Sequence, residues 1–118
     1  MKITIYHNPD CSKSRKTLKI ILDKGITPEI ILYLETPPDT NKIKHICKLL
    51  NIKLTAIIRK HEYDYLKISE IDKTKESFLE KWIQKHPIIL QRPIIINEEN
   101  NTAVIGRPPE NVLEILPK

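Results

Sequence analysis

The sequence predicts a single α/β domain over residues 1–118, in which strand–helix–strand and strand–strand–helix segments flank a helical insertion. Three observations predict it. Short β-branched runs lie near both ends of the chain, and apolar residues at helical spacing follow each of them. The stretch between them, residues 54–86, contains no good strand. The length of 118 residues fits one domain with its own core.

The first segment has the pattern of a parallel strand pair joined by a helix. Residues 2–6 alternate as a short strand, and Ser12–Lys24 is a helix that Gly25 ends. Residues 29–34 form a nearly continuous apolar run, which favours a strand covered on both faces. A strand–helix–strand unit implies a right-handed crossover. The predicted apolar stripe of the helix consists of Leu18, Ile21 and Leu22.

The middle of the chain is predicted to be helical. Asp39 or Thr40 caps a helix that Asn51 ends, and several helical pieces follow, the last over residues 75–85. The apolar residues of the capped helix are Ile43, Ile46, Cys47 and Leu50.

The last segment predicts a β-hairpin and a final helix. Residues 94–96 and 102–105 are the strands, with a turn at 97–101, and Pro109 stands near the first position of the helix. The predicted buried side of that helix consists of Val112, Leu113, Ile115 and Leu116. This order of elements, around a mixed central sheet, is that of a thioredoxin-like fold with a helical insertion.

Charge and hydropathy exclude two classes of partner. The net charge is +5, but the 20 cations are spread along the chain among acids, and no aromatic residue lies in a basic stripe. We therefore expect no nucleic-acid partner. The longest uncharged apolar stretches are four or five residues, far from the roughly 20 that span a bilayer, so no membrane is expected either. No signal-peptide core follows Met1, and we expect a cytoplasmic protein.

The arginines are candidates for anion binding. The chain has sixteen lysines but only four arginines. Lysine offers a mobile point charge, whereas the arginine fork binds an oxyanion with two parallel hydrogen bonds. The four positions are Arg15, Arg59, Arg92 and Arg107.

Cys11 is the candidate catalytic residue. It lies in the strand-to-helix loop, one residue before the predicted helix, where unpaired amides stabilise a thiolate. Lys13 or Arg15 would act in the same sense, and Ser14 is placed to donate its hydroxyl to the sulfur. Because position 14 is serine, the Cys-x-x-Cys of two-cysteine oxidoreductases is absent. Thr17 occupies the position of the arginine in a phosphatase loop, which excludes that class.

The second cysteine and the histidines have simpler interpretations. Cys47 shares a helical face with aliphatic residues, so it is predicted to be a packing residue. His7, four residues before Cys11, either tunes the ionisation of that thiol or caps the loop. The remaining histidines have no ligand spacing, and we expect no metal and no bound cofactor. They are His45, His61 and His86.

Several motifs in this order resemble the glutaredoxin-coupled arsenate reductases, the reductase branch of the ArsC/Spx family. The resemblance runs from about residue 3 to residue 116. The motifs are the loop His7-Asn8-Pro9-Asp10-Cys11-Ser12-Lys13-Ser14-Arg15, then Tyr33-Leu34-Glu35-Thr36-Pro37-Pro38, Ile57-Ile58-Arg59-Lys60, His86-Pro87-Ile88, Arg92-Pro93-Ile94 and Gly106-Arg107-Pro108-Pro109-Glu110.

The resemblance implies a thioredoxin-like fold and reduction of arsenate to arsenite. It makes Cys11 the nucleophile, and it makes Arg59, Arg92 and Arg107 the residues that bind arsenate. It also implies that Pro93 is a cis-proline beside the cysteine. Glutathione would be the co-substrate and glutaredoxin the protein partner, because no second cysteine is placed to resolve the adduct. His7 and Ser14 would support the site.

Two other functions stay open at this stage. A reductase-like protein acting on another oxyanion or on a thiol adduct would have the same site residues. Spx-type regulators, which bind the RNA polymerase α subunit, share the fold. They typically carry Cys-x-x-Cys in this loop and lack the Gly-Arg-Pro-Pro stretch, so Ser14 and Arg107 argue against the regulator.

Overall fold

The computed structural model describes residues 2–52 and 90–116, together with Ile57, Ile83 and Pro87. The chain forms two compact units, one comprising Met1–Tyr33 and Arg92–Lys118, the other Leu34–Gln91. The single domain expected over residues 1–118 stays a prediction. In chain order the elements are β1 (Ile3–His7), α1 (Ser12–Asp23), β2 (Glu29–Leu32), α2 (Thr40–Leu50), β3 (Ile94–Asn97), β4 (Thr102–Ile105) and a 3₁₀ helix (Pro109–Glu114).

The first unit is built on a four-stranded sheet of order β2-β1-β3-β4. β1 pairs with β2 in parallel and with β3 in antiparallel orientation, and β3 and β4 form the predicted hairpin. The mixed sheet expected from the sequence is thereby confirmed. The turn between β3 and β4 uses Asn101 with a φ of 55°, a left-handed conformation that asparagine tolerates well.

β2 differs from the prediction in length and burial. It ends at Leu32 rather than at residue 34, its residues are exposed or half-buried rather than covered, and it lies at the edge of the sheet that the described residues form. Ile30 is 47% exposed as a result. Its apolar run resembles that of a central strand, but among the described residues β1 is the one strand paired with it. Tyr33, the first residue after the strand, is fully buried.

Helix α1 packs on the sheet through a face that is partly polar. Its buried residues are Ser14, Thr17 and Ile21, so the predicted stripe is wrong at Leu22, which is 50% exposed. Successive residues turn about 100° on a helix, and Leu22 therefore points away from the face that Ile21 buries. Gly25 follows the helix with a φ of 78°, as expected of a glycine at this position. The core cluster comprises Ile3, Ile5, Ile21, Ile95, Val112, Ile115 and Leu116.

The final helix forms as a 3₁₀ helix, and this corrects its predicted buried side. Pro109 lies in its first turn, as expected. A 3₁₀ helix has three residues per turn, so Pro109, Val112 and Ile115 line up on one face and are buried. Leu113, predicted to be buried, falls off that face and is 45% exposed.

The second unit contains α2, whose ends follow the prediction. Asp39 accepts a hydrogen bond from the backbone N–H of Lys42 at 2.8 Å, which satisfies a donor in the first turn. Asn51 closes the helix in the left-handed conformation, with a φ of 55°. Ile43 and Ile46 are buried, and Cys47 is partly exposed. The helical pieces predicted over residues 54–86 lie outside the described residues except for Ile83, which is helical and buried.

Within the described residues, no helix is both long and apolar enough to cross a membrane.

The burial of α1 predicts unequal effects of two neighbouring substitutions. Ile21→Ala removes a fully buried side chain from the core and should lower the free energy of unfolding by about 2–5 kcal/mol. Leu22→Ala, on the exposed side of the same helix, should cost about 1 kcal/mol or less. Urea unfolding followed by circular dichroism measures both values. Equal losses would show that both side chains lie in the core, as the sequence pattern alone suggests.

Candidate active site

The strand directions of the first unit bring four chain segments to one end of the sheet. His7 pairs with Leu32 in the parallel register, so the loop after β1 and Tyr33 after β2 leave the sheet side by side. β3 runs the other way and begins at this end, directly after Arg92 and Pro93. β4 returns to it at Ile105. We call this the Cys11 end of the sheet, formed by residues 8–11, Tyr33, Arg92-Pro93 and Gly106-Arg107.

The loop that carries Cys11 is held by local hydrogen bonds. The Cys11 N–H donates to the Asn8 carbonyl at 3.0 Å, and the Asp10 N–H donates to the side-chain oxygen of Asn8 at 3.0 Å. Arg15 is exposed, and its guanidinium donates to the Pro9 carbonyl at 2.8 Å. Arg15 therefore ties the loop to the first turn of α1, a structural role that the sequence left open.

Cys11 is the N-cap residue of α1, where the sequence predicts it, and it is partly buried. Burial raises the pKa of its thiol. The backbone N–H groups of Ser14 and Lys13 lower the pKa by hydrogen bonding, and Arg92 lowers it through a hydrogen bond and its charge. Together these contacts outweigh burial, so the pKa of Cys11 lies below its ordinary value. The thiolate is the nucleophilic form of cysteine, and this environment favours it.

Two expectations about these contacts are corrected. Neither the side chain of Lys13 nor that of Arg15 is among the groups that stabilise the thiolate; the guanidinium there is that of Arg92. The hydroxyl of Ser14 does not donate to the sulfur, because it is engaged elsewhere. It lies 2.6 Å from His7 Nδ1 and accepts the Asn8 N–H at 3.0 Å. Ser14 lowers the pKa of the Cys11 thiol through its backbone N–H and not through its side chain.

His7 is buried at the end of β1, and its side chain is hydrogen-bonded to the Ser14 hydroxyl. Burial lowers its pKa, and the positive charge of Arg15 lowers it further. The imidazole is therefore neutral at neutral pH and binds Ser14 as an uncharged group. This contact helps to hold Ser14, whose backbone N–H lowers the pKa of the Cys11 thiol. A tuning role for His7 stays a prediction.

Arg92 and Arg107 both lie at the Cys11 end of the sheet, and Arg92 acts on the sulfur. Arg92 is buried, and its guanidinium lowers the pKa of the Cys11 thiol. Arg107 is partly exposed, and its Nε donates to the carbonyl of Arg92 at 2.8 Å. That bond ties the side chain of Arg107 to the backbone of Arg92. The side chain of Asn111 donates to the Arg107 carbonyl at 3.2 Å and steadies the turn.

Close backbone packing fixes the two arginines relative to each other. The Arg92–Pro93 peptide bond is cis, as the resemblance implied. The Gly106 N–H donates to the Pro93 carbonyl at 2.9 Å. A Cβ on Gly106 would lie 2.7 Å from Thr17 Oγ1 and 2.8 Å from Pro93 Cγ, so no larger residue fits without a shift. Because position 106 is glycine, Gly106 can lie against Pro93, and this close approach brings the turns that carry Arg107 and Arg92 together.

The structure does not place every predicted residue. Arg59 lies outside the described residues, and Cys47 is on α2 in the other compact unit. Sequence analysis missed Tyr33, whose charged neighbours include Cys11, Arg92 and Arg107. The available signal was a tyrosine at the end of an otherwise aliphatic run, within a motif that the resemblance already contained.

The fold and the site together define a class of protein. A mixed sheet with a cysteine at the start of the first helix, and a cis-proline before the adjoining strand, is the arrangement of thioredoxin-like thiol proteins. Here Arg92 acts on the cysteine, and position 14 of the loop is serine rather than a second cysteine. The model of the ArsC family matches residues 6–115. The chain belongs to the ArsC family.

Individual relatives agree over nearly the whole chain. A Haemophilus influenzae protein named arsenate reductase is 43% identical and covers 98% of this chain and 100% of that protein. The uncharacterized protein YfgD of Escherichia coli is 38% identical, covering 98% of this chain and 97% of its own length. The solved structure of an arsenate reductase from Vibrio cholerae has a TM-score of 0.85 at 39% identity, covering 98% of each chain. The thioredoxin-like fold class is confirmed by these likenesses.

The contacts of the sulfur predict how its reactivity depends on pH. Arg92→Gln removes the charge and the hydrogen bond to Cys11, so the midpoint of Cys11 alkylation by iodoacetamide should move upward by about one pH unit or more. Arg15→Gln removes a charge that does not act on the sulfur and should move the midpoint little. Peptide mass spectrometry identifies the alkylated residue. Equal shifts in both variants would mean that general positive charge, not the Arg92 contact, lowers the pKa.

Proposed function

We propose that this protein reduces arsenate to arsenite, with Cys11 as the nucleophile. One observation carries the proposal: a thiol of lowered pKa stands at the N-cap position of α1 with the buried guanidinium of Arg92 acting on it, and Arg107 is bonded to the Arg92 backbone. Activated cysteines occur on many enzymes, but one with Arg92 acting on the sulfur and Arg107 bonded to Arg92 suits an anionic substrate. The family membership and the names of the relatives support arsenate as that anion.

Binding would begin with the anion. Arsenate carries one to two negative charges near neutral pH, and fixed donors must replace the water that it loses. Arg92 and Arg107 each offer a planar fork, and the resemblance adds Arg59 as a third. Donors that are already in place stabilise charge on the oxygens as the sulfur attacks. The Cys11 thiolate then attacks arsenic(V), an As–S bond forms, and one oxygen leaves as water after protonation.

The electrons for reduction would come from outside thiols. Position 14 is serine, so the loop holds no resolving cysteine. Glutathione attacks the adduct, and glutaredoxin supplies the second thiol as arsenite leaves. Overall, one arsenate and two thiols give one arsenite, one disulfide and one water. Because glutathione keeps cytosolic thiols reduced, the cytoplasm is the compartment in which this chemistry would run.

A coupled assay tests the proposal. Purified protein with arsenate, glutathione and glutaredoxin should release arsenite, and Cys11→Ser should reduce the rate to that of the mixture without protein. Cys47→Ser is the matched control and should retain activity, because Cys47 is a predicted packing residue. Absence of arsenite with active coupling components would contradict the proposal and favour another oxyanion or a thiol adduct as the substrate.

The arginines should be sensitive to geometry rather than to charge alone. Arg→Lys at position 59, 92 or 107 keeps the positive charge but loses the two-point contact, so turnover should fall by about 10- to 1000-fold while the fold persists. Arg15→Lys should cost much less, because Arg15 is exposed and binds the Pro9 carbonyl. The coupled assay gives the rates, and circular dichroism checks folding. Near-normal turnover in all four variants would refute the arginine assignment.

A further inference from the structure

Tyr33 carries a buried hydroxyl that the fold does not use. The residue follows β2 at the Cys11 end of the sheet and is 0% exposed. Its hydroxyl makes no hydrogen bond of regular length and angle with the described residues. Buried hydroxyls are nearly always bonded, because an unbonded one has lost its water without a replacement. A ligand that brings an acceptor would supply the missing partner.

The groups around this hydroxyl are those of the candidate active site. Burial raises the pKa of Tyr33 to about 12; the charges of Arg92 and Arg107 act to lower it, and that of the Cys11 thiolate acts to raise it. The phenol is therefore protonated at neutral pH and is a neutral donor. It stands within electrostatic range of the nucleophile and of two anion-binding candidates.

Asn8 is a further neighbour of the hydroxyl. The Asn8 side-chain oxygen is engaged by the Asp10 N–H, which leaves its NH₂ group as the donor toward the phenol. The effect of Asn8 is to lower the pKa of Tyr33, as expected of a group that donates toward that oxygen. The approach falls outside regular hydrogen-bond geometry. A donor on the oxygen leaves the O–H proton to point toward another acceptor.

The sulfur is not that acceptor. The groups that stabilise the Cys11 thiolate are the N–H groups of Ser14 and Lys13 and the guanidinium of Arg92, and Tyr33 is not among them. The hydroxyl therefore lies near the sulfur without bonding to it. An oxygen of an anion attached or adjacent to the sulfur, with Arg92 and Arg107 on its other oxygens, would be a suitable acceptor.

We propose that the Tyr33 hydroxyl donates a hydrogen bond to an oxygen of the anion bound at Cys11, and so selects a tetrahedral oxyanion over a mixed disulfide. The inference rests on the proposed function, from which it takes the anion site. A disulfide offers only weakly accepting sulfur atoms and would leave the Tyr33 hydroxyl without a good acceptor. Sites built to hydrogen-bond a polar group reject ligands that lack it.

Protection of Cys11 from alkylation tests this without turnover. The full chain is treated with iodoacetamide, a neutral reagent, in increasing concentrations of arsenate and, separately, of sulfate. Tyr33→Phe should raise the half-protecting concentration of both anions by roughly tenfold or more, the effect of losing one hydrogen bond to a charged group. Its alkylation rate without an anion should stay within about twofold of the unsubstituted protein's, since Tyr33 does not bond the sulfur.

Thr4→Val is the matched control. Thr4 carries the other buried hydroxyl without a hydrogen bond in the part of the chain described, and it lies in β1, three residues before His7. At about 3.3 Å per residue, this places it roughly 10 Å from the end of the strand. Thr4→Val should leave protection unchanged. Tyr33→Phe should be at least as stable as the unsubstituted protein, because it removes an unbonded polar atom and opens no cavity; thermal unfolding checks this.

The possible outcomes separate this inference from the proposed function. Unchanged half-protecting concentrations in Tyr33→Phe would overturn the inference, as would a lack of protection of the unsubstituted protein by either anion. A slower alkylation rate in Tyr33→Phe without any anion would overturn it too, since the hydroxyl would then serve the sulfur. Protection that depends on Tyr33, in a protein that releases no arsenite in the coupled assay, would support the inference and reject arsenate reduction.

Discussion

The pairing of β1 with its two neighbours determines which residues meet Cys11. β1 runs parallel to β2 and antiparallel to β3. The loop after β1, the residue after β2 and the residues before β3 therefore lie at the same end of the sheet. A reversal of either direction would send Tyr33 or Arg92 to the opposite end of the sheet. The hairpin partner β4 then adds Arg107. All three residues are distant from Cys11 in sequence, and this topology brings them to the same end of the sheet.

The reactivity of the Cys11 thiol depends on the groups that surround it at this end of the sheet. The start of α1 presents backbone N–H groups to the sulfur, and the entry to β3 presents Arg92. Burial raises the pKa of the thiol, and these contributions lower it by more. Gly106 holds the two arginine-bearing turns close enough for Arg107 to bond the Arg92 carbonyl. The arginines are thereby placed before any substrate arrives, which is the condition for electrostatic stabilisation without rearrangement.

Local signals in the sequence predicted most of the fold. Periodicity located β1, α1, α2 and the hairpin, and capping residues such as Asp39 and Asn51 gave their ends. The errors have a common physical origin, because burial depends on neighbours that a local pattern does not contain. An apolar run looked central in β2, but the strand is at the edge, and Leu22 and Leu113 are apolar residues on faces that stay exposed.

The site was predictable to a similar extent. The position of Cys11 before a helix predicted a lowered pKa, and scarcity of arginine singled out four positions, of which Arg92 and Arg107 lie at the Cys11 end of the sheet. Which guanidinium contacts the sulfur depends on long-range strand order, so sequence favoured Arg15 and Lys13 instead. Ser14 acts through its backbone because His7 and Asn8 occupy its hydroxyl. The register of β2 with β1 places Tyr33 at the Cys11 end of the sheet, and local sequence patterns do not contain that register.

The most direct test of the account is a crystal structure of the chain exposed to arsenate, with diffraction recorded at the arsenic absorption edge. The account predicts one anomalous peak bonded to Cys11 Sγ, with Arg92 and Arg107 in hydrogen-bonding contact with the arsenic-bound oxygens. Arsenic bound elsewhere, or bound to Cys11 with both guanidiniums turned away from its oxygens, would contradict it.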